Sequence, residues 1–423
     1  MLSELGHVQL HQETSQFTRA GARRLHDGMT HIAITYPFPL GAANGAARMT
    51  REIAAHLGAL GIKVTILAVS ASPQTRFPRP VVEKALLGHE FDQGLAAAGV
   101  AVIRVPQHPV SWTLDGLPIR RHIRALARRE RLDAVLSYYQ ESAFLPGFLR
   151  RHGIHFGFIS TWQSYALALG EQKKRSLVGT AVRKVRNHVL IRSPHRRAEI
   201  LFPTSEFTKT ELVAVLGVDP ARLRVCYLGV DPAFLAIPHT YRTAVRNLIF
   251  FGRFVQLKGV RDALAALGKL KTRGIVDWQF RMIGLGDRAW VQGLAAKFGI
   301  ESQVEVLPAV GDNELRGAIA WADLALMPSH AESFGLSFAE AQASGIPVVA
   351  YRTGSVPEVV ADGETGWLVP LKNVNALADA LAAAIANPVE TRRRGEAGRS
   401  RVARVFSWEK TAHTISAGLE TIL

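Results

Sequence analysis

The chain has 423 residues, of which 48% are hydrophobic and 20% charged, and its formal net charge at pH 7 is +16. This balance is that of a folded protein with substantial cores, and it excludes a collagen, a disulfide scaffold or a wholly disordered chain. A single cysteine, Cys226, permits neither an intrachain disulfide nor a multi-cysteine metal site.

The length and the distribution of apolar residues give the first expectations about organisation. The length favours about two to three domains. Residues 1–29 are polar and lack the apolar core of a signal peptide, so we interpret them as a flexible N-terminal extension. No run of about 20 apolar residues is present, so we predict no transmembrane helix. The expected location is cytoplasmic, with peripheral association at the inner face of the membrane as the more specific hypothesis.

The positive charge is concentrated in the first half of the chain. Residues 1–232 contain 30 Lys and Arg against 17 Asp and Glu, whereas residues 233–423 contain 21 against 18. Residues 173–197 carry nine basic side chains and no acid. Such a segment suits an anionic membrane surface, and a solvated basic helix is the alternative. Nucleic acid is not a predicted partner, because no recognisable binding motif accompanies the charge.

Short β-branched runs alternate with helical patterns along the whole chain, which indicates βαβ units and parallel sheets. The strands predicted in the first half are 31–36, 63–69, 100–105, 134–138, 156–160, 200–203 and 224–227. After a proline-containing seam the pattern restarts, with strands predicted at 247–251, 279–283, 304–307, 324–327, 347–350 and 366–369. We therefore predict two doubly wound α/β domains on either side of a cleft, with ligands at the carboxyl ends of the strands.

Two loops at predicted strand ends are candidate anion sites. The first contains Gly41, Asn44 and Gly45 and leads into a helix, whose N-terminus favours an anion or a hydroxyl-rich group. The second runs from Gly252 to Gly259 and holds Arg253 and Lys258, which suit a diphosphate. Its spacing differs from a Walker A loop, so ATP hydrolysis is not implied. Packing of the first loop and ordinary surface charge on the second are the alternatives.

A pair of carboxylates forms the third candidate. Glu332 and Glu340 lie eight positions apart, and a helix that begins near Gly335 would place Glu332 beside its N-terminus and Glu340 about one and a half turns further on. Carboxylates in these positions can accept hydrogen bonds from sugar and ribose hydroxyls. Acids are also common near helix starts because of the helix dipole. The segments 354–358 and 362–366 are interpreted as turns that bracket short strands.

Several of these runs resemble the donor domain of family 4 glycosyltransferases, which have the GT-B fold. They are GRFVQLKG at 252–259, GLGD at 284–287, ADLALMPS at 322–329, ESFGLSFAEAQASGIPVV at 332–349 and GSVPEVVADGETGWLV at 354–369. Glu332 and Glu340 match the glutamate, seven residues, glutamate motif of the family. The first half is similar more loosely, through residues 41–45, through PTSEFTKTEL at 203–212 and through GVD at 229–231.

The resemblance implies transfer of a hexose from a nucleotide-diphosphate sugar to an acceptor hydroxyl, with retention at the anomeric carbon and with no obligatory metal or cofactor. Arg253 and Lys258 would hold the donor diphosphate, Glu332 would position the donor sugar, and these three are the expected catalytic residues. Glu340 would bind the ribose hydroxyls. The other donor-binding positions carried over are Gly252, Gly284, Gly286, Phe334, Gly335, Leu336, Gly41, Asn44 and Gly45.

The restart of the strand pattern divides the chain into domains at 30–232 and 247–405, joined by a linker at 233–246. The resemblance makes the first the acceptor-side domain and the second the donor domain. A last helical segment, 406–423, would cross back onto the first domain.

One departure from the family pattern concerns the acceptor side. Related enzymes often have a histidine just after the fifth strand, where this chain has Thr161, Trp162 and Gln163. Gln163 can hydrogen-bond a sugar but cannot donate a charged proton. We expect Gln163, Trp162 and Tyr138 on the acceptor side.

Together these observations predict a retaining glycosyltransferase that acts in cell-surface glycan, glycolipid or polysaccharide biosynthesis at the membrane face. Its expected partners are a nucleotide sugar, an acceptor glycan or lipid-linked sugar, and an anionic membrane surface through residues 173–197. The alternatives are a transferase acting on a soluble small molecule and a catalytically silent homologue that binds sugar nucleotides.

Overall fold

The computed structural model describes residues 30–37, 40, 45–70, 94–111, 114–138, 140–161, 188–238 and 242–423. Within these residues two six-stranded sheets follow one another along the chain, and all neighbouring strands are parallel. The predicted pair of doubly wound α/β sheets is therefore confirmed.

The two sheets have the same topology. The first contains β1 (His31–Tyr36), β2 (Lys63–Ser70), β3 (Val100–Pro106), β4 (Ala134–Ser137), β5 (His155–Ser160) and β6 (Ile200–Pro203), in the order β3-β2-β1-β4-β5-β6. The second contains β7 (Asn247–Phe251), β8 (Gln279–Gly284), β9 (Val304–Pro308), β10 (Leu324–Leu326), β11 (Val348–Arg352) and β12 (Gly366–Pro370), in the order β9-β8-β7-β10-β11-β12. Each of these strands lies within two residues of its predicted bounds.

The strand predicted at 224–227 is wrong. Residues 224–231 have no regular secondary structure, although Arg224 and Cys226 donate backbone N–H groups to Leu201 and Pro203. A ladder does not continue here, because its next bond would need an N–H from Pro203, the last residue of β6, and proline has none. The backbone oxygen of Tyr227 accepts from the Thr411 hydroxyl of the C-terminal helix at 2.8 Å.

Helices cover both faces of the sheets. Those of the first half are α1 (Gly45–Ala59), α2 (Gly116–Arg129), α3 (Pro146–Arg151), α4 (Ser193–Arg197), α5 (Glu206–Leu216) and α6 (Pro232–Leu235). Those of the second half are α7 (Val260–Thr272), α8 (Arg288–Lys297), α9 (Asp312–Trp321), α10 (Leu336–Ala343), α11 (Val356–Val359), α12 (Val374–Ala386), α13 (Pro388–Val405) and α14 (Trp408–Glu420). Every residue of β1, β4 and β6 is buried, as is typical of parallel sheets covered on both faces.

Local sequence explains where several helices begin. Ser205, Asp287, Asn373 and Ser407 each accept a hydrogen bond from a first-turn backbone N–H of α5, α8, α12 and α14 respectively. These residue types are the preferred N-caps, because their short side chains satisfy N–H groups that have no partner within the helix. No helix in the described ranges has the length and apolar character needed to span a membrane.

The two halves are in contact where the chain passes between them. Val230 donates its backbone N–H to the Phe406 oxygen at 3.2 Å. Gly229 is so close to the start of α14 that an added Cβ would lie 2.1 Å from the Trp408 backbone nitrogen. From there α14 returns to the first sheet, where a Cβ on Gly418 would lie 2.5 Å from the Phe202 ring. Trp408 belongs to an apolar cluster that includes residues of both sheets.

Candidate active site

The crevice of a doubly wound sheet lies where the strand order reverses. In the second sheet this point lies between β7 and β10, so the connections that follow these strands separate and leave room for a ligand. The first connection carries Lys258 and the second carries Glu332. The Lys258 Nζ atom lies 2.5 Å from Glu332 Oε1, and only 8% of the Glu332 side chain is exposed. The structure therefore brings these two predicted residues together as a partly buried ion pair.

A glycine allows the two connections to touch. Gly259 has φ of 69°, and a Cβ at this position would lie 1.8 Å from the Pro328 backbone oxygen. Beside it, His330 donates its backbone N–H to the Leu257 oxygen at 2.8 Å. Only glycine combines this backbone conformation with so close an approach. The contact fixes the position of Lys258 relative to the Glu332 loop.

A second set of contacts holds the same loops through side chains. Asp262, in the first turn of α7, has its Oδ2 atom 2.9 Å from His330 Nε2 and accepts from the Tyr351 hydroxyl at 3.0 Å. Burial alone would raise the pKa of Asp262, but the hydrogen bonds from His330 and Tyr351 lower it below its usual range. Asp262 is thus a charged anchor that ties the start of α7, next to the Lys258 loop, to the Glu332 loop.

The other side of the Glu332 loop rests on the turn after β11. A Cβ on Gly354 would lie 2.3 Å from the Glu332 backbone oxygen, which accepts from the Ser355 N–H at 3.2 Å. Thr353 donates its hydroxyl to the His330 oxygen at 3.0 Å. The backbone that carries Glu332 is therefore fixed from both neighbouring strands.

Glu340 lies on α10 and is buried, with 7% of its surface exposed. Its Oε1 atom accepts from Arg48 Nη1, and Arg48 extends its second terminal nitrogen to Asp312 at the start of α9. Burial raises the pKa of Glu340 to about 7; Arg48 opposes this shift, while Asp312 and Asp231 add to it. Arg48 belongs to α1, so the ion pair joins the two halves of the molecule.

The start of α10 also contacts the first half. The helix begins at Leu336, as predicted, after Gly335. A Cβ on Gly45 would lie 3.1 Å from Leu336 Cδ1, so the N-termini of α1 and α10 are adjacent. Phe334 is buried, with its ring centroid 5.4 Å from that of Phe406.

The segment 203–212 is bound to the second half by hydrogen bonds. Thr204 and Thr208 direct their hydroxyls to the Ser333 backbone oxygen, at 3.2 and 3.4 Å. The Glu358 carboxylate accepts from the backbone N–H groups of Glu206 and Phe207, both at 2.8 Å, and from the Tyr227 hydroxyl at 2.9 Å. An acid of the second half therefore caps α5 of the first.

Among the residues that the structure describes, the remaining predicted site residues form no side-chain hydrogen bond or ion pair with Lys258, Glu332 or Glu340. Arg253 is exposed on the Lys258 loop, and within the described ranges no acid forms an ion pair with it. A Cβ on Gly284 would lie 1.7 Å from the Gly252 oxygen, and one on Gly286 would lie 2.8 Å from Phe254 Cβ, so these three glycines pack that loop onto β8. Tyr138 is buried at the end of β4.

Several predictions concern residues outside the described ranges wholly or in part. These are the N-terminal extension 1–29, the residues Gly41, Asn44, Trp162 and Gln163, and most of the basic segment 173–197. In the described part of that segment, Arg192, Arg196 and Arg197 are exposed. Among the described residues no group of three or more His, Cys, Asp and Glu side chains could hold a metal ion.

Sequence reasoning missed Arg48, Asp262, His330 and Glu358. Arg48 was available as a basic residue one turn into the helix after a candidate loop, and Glu358 as an acid within a segment that we interpreted only as a turn. A groove of about 360 Å³ lies at the amino ends of β7 and β8, opposite the crevice, between residues 244–246, 274–277 and 385–388. It contains none of the residues named above.

Two family models match the chain. The model described as Glycosyl transferase 4-like domain matches residues 44–229, and the model described as Glycosyl transferases group 1 matches residues 241–401. A D-inositol 3-phosphate glycosyltransferase of Arthrobacter sp. is 29% identical over 398 residues, which cover 88% of this chain and 89% of that protein. The MMP alpha-(1->4)-mannosyltransferase of Mycolicibacterium hassiacum is 35% identical over 218 residues, 51% of this chain and about half of its own length, 53%.

Solved structures share the fold over nearly the whole chain. Sucrose-phosphate synthase from Thermosynechococcus elongatus matches with a TM-score of 0.74 at 21% identity, covering 93% of this chain and 99% of its own. Anabaena HepE, solved in complex with UDP and glucose, matches with a TM-score of 0.68 at 16% identity, covering 93% and 100%. The chain therefore belongs to the group 1 glycosyltransferases of the family 4 type, and its two doubly wound sheets form the GT-B fold.

Proposed function

We propose that this glycosyltransferase transfers a hexose from a nucleoside-diphosphate sugar to an acceptor hydroxyl, with retention of configuration at the anomeric carbon. The observation that carries the proposal is the Lys258–Glu332 pair at the carboxyl end of β7 and β10, where an open α/β sheet binds its ligand. A structural neighbour solved with UDP and glucose supports the same class of donor.

Lys258 would release Glu332, its partner in the structure, and bind the donor diphosphate instead. The diphosphate oxygens gain negative charge as the bond to the anomeric carbon breaks, and a cation already held in place stabilises that charge without further rearrangement. Arg253, exposed on the same loop, would add a second positive charge. The Gly259–Pro328 contact and the Asp262–His330 pair keep this loop in position.

Glu332, once released from Lys258, would accept hydrogen bonds from hydroxyls of the donor sugar. Its backbone is fixed by Gly354 and Ser355, so the carboxylate would orient the sugar rather than follow it. Glu340 would accept hydrogen bonds from the ribose. The contribution of these residues is orientation and electrostatic stabilisation of the leaving group, with the neighbouring first half excluding water.

The donor proposal is tested by a thermal-shift screen of the purified chain against UDP, GDP, ADP and CMP. We expect one nucleoside diphosphate to stabilise the wild-type chain, because a ligand that binds only the folded state raises its melting temperature. Lys258→Ala should abolish the shift. Lys269→Ala, which removes an exposed lysine from α7, the helix that follows the Lys258 loop, is the matched control and should retain it. Stabilisation that survives in Lys258→Ala would contradict the proposal.

Retention is tested with the donor identified by that screen. The anomeric proton of the newly formed glycosidic bond, observed by NMR, should show the configuration of the donor. The opposite configuration would overturn this part of the proposal.

We further propose that the acceptor is a lipid-linked or otherwise anionic glycan at the cytoplasmic face of a membrane. The exposed arginines at 192, 196 and 197 support an anionic surface contact. So does α2, in which Arg121, Arg124, Arg128 and Arg129 are exposed and no acidic residue occurs. A soluble acceptor would not require this concentration of charge.

Partition onto liposomes tests the membrane contact. Binding should require anionic lipid and weaken with added salt. Binding to anionic liposomes should fall in the double variant Arg196→Ser, Arg197→Ser. It should persist in the control variant Arg288→Ser, Arg404→Ser, which removes the same number of charges from the second half. Binding that ignores lipid charge and salt would refute it, and preference for a soluble aglycone in acceptor competition would favour a small-molecule transferase.

A further inference from the structure

The carboxylate expected to bind ribose is already held by a residue of the other half. Arg48 extends from α1 of the first half and contacts Glu340 Oε1 with one nitrogen of its guanidinium group and Asp312 with another. Its side chain is 14% exposed, and its Cζ atom lies 5.6 Å from the centre of the Phe234 ring. A guanidinium fixed by two acids and one aromatic ring has little freedom to turn.

The contact leaves one oxygen of Glu340 available. In the described part of the molecule no protein donor contacts Oε2, whereas Oε1 is bound to Arg48. A carboxylate oxygen whose partner oxygen is fixed presents its lone pairs in a defined direction. Such an oxygen suits a hydroxyl group of a ligand.

Among the charges around Glu340, Arg48 favours its ionised form. Burial, Asp312 and Asp231 all favour the neutral acid, and Arg48 is the cation that opposes them. A neutral Glu340 would offer a weaker acceptor to a hydroxyl than the carboxylate does.

We propose that Arg48 is a positioning residue for the donor nucleotide, which holds the ionised Glu340 so that Oε2 accepts hydrogen bonds from the ribose hydroxyls. This role rests on the proposed function. It makes the preference for ribonucleotides over 2′-deoxyribonucleotides depend on a residue of the half that does not contain the diphosphate loop.

The test measures dissociation constants for UDP, GDP and ADP and for their 2′-deoxy analogues by calorimetry between pH 6 and pH 9. The wild-type chain should bind its preferred ribonucleotide at least about tenfold more tightly than the deoxy analogue, because the analogue leaves a buried acceptor without its partner. In Arg48→Gln this ratio should fall to about threefold or less. The pH at the midpoint of the change in this ratio should move upward by about one pH unit in Arg48→Gln.

Two controls separate positioning from a general structural effect. Arg51→Gln makes the same change one turn later on α1, where Arg51 donates to the Leu40 oxygen and has no described contact with Glu340; it should keep the wild-type ratio. Inorganic diphosphate, which has no ribose, should bind Arg48→Gln within about twofold of the wild-type chain. Loss of diphosphate binding in Arg48→Gln would overturn the positioning role.

A second variant decides the question if Arg48→Gln does not fold. Asp312→Asn removes a charge that favours the neutral acid, so the midpoint of the ribose preference should move to lower pH, opposite to the glutamine variant. An unchanged midpoint would show that the ribose preference does not depend on the ionisation of Glu340, and would overturn the proposal. A wild-type chain that binds nucleotides without preferring ribose would overturn it while leaving the donor proposal standing, and a chain that binds no nucleotide would overturn both.

Discussion

Removal of the Glu358 carboxylate should loosen the start of α5, a helix of the opposite half. Glu358 accepts two backbone N–H groups at 2.8 Å and the Tyr227 hydroxyl at 2.9 Å. Hydrogen bonds to charged groups contribute about 1.5–3 kcal/mol each, and partial exposure of this site reduces that value. We expect Glu358→Ala to lower the free energy of local opening at residues 206–207 by about 3 kcal/mol. Since about 1.4 kcal/mol corresponds to a factor of ten, exchange there should accelerate about 100-fold.

Hydrogen-exchange mass spectrometry of the peptide that contains the start of α5 provides the assay. Tyr227→Phe removes one of the three hydrogen bonds and keeps the ring beside Phe334 and Phe406, so it should accelerate exchange by only about fivefold. Glu364→Ala removes an exposed acid nearby and is the control for charge. Exchange in Glu358→Ala no faster than in Glu364→Ala would refute the interpretation of Glu358 as a cap of α5.

Three further changes have expected outcomes. Because the pKa of Glu340 is raised to about 7, the folded chain keeps a proton that the unfolded chain loses above its ordinary value near 4.5; stability from this group therefore falls as pH rises from about 4.5 to 7. Melting curves at pH 5 to 8 should show the free energy of unfolding of Glu340→Gln increasing, relative to that of the wild type, by up to about 3 kcal/mol over that window. A difference that stays constant with pH would contradict this. Gly259→Ala should lower kcat/KM by about 100-fold by displacing the Lys258 loop, whereas Gly293→Ala, with open space around it, should leave activity unchanged. Asp262→Asn should lower kcat/KM about tenfold with little change in melting temperature, because one charged anchor is weakened; equal activity would show that the anchor is dispensable.

Strands and donor loops could be predicted because they depend on local pattern. Runs such as 31–36 and 247–251 are rich in β-branched and aromatic residues, which favour strands. The sequence placed Lys258 and Glu332 each after a predicted strand, and the observed strand order, in which β7 and β10 are neighbours, brings them to one crevice.

Contacts between the halves could not be predicted in the same way. Arg48 and Glu340 are separated by 292 residues, and Phe207 and Glu358 by 151, so no periodicity relates them. The error at 224–227 has a local origin. The pattern of a strand was present, but β6 ends in Pro203, which has no N–H to donate to a neighbouring strand, so the ladder stops after one bridge.

The chain crosses between its two halves at two places, and these two crossings lie side by side. Their position limits the ways in which this glycosyltransferase can open. The connection after Gly229 and the one before Trp408 lie against each other, joined by the hydrogen bond between Val230 and Phe406. Two covalent connections side by side act as a hinge. They permit rotation about the line that joins them, and they resist sliding or twisting of one half against the other. We therefore expect each catalytic cycle to retrace a single arc, so that Arg48 returns to Glu340 in the same register whenever the halves close.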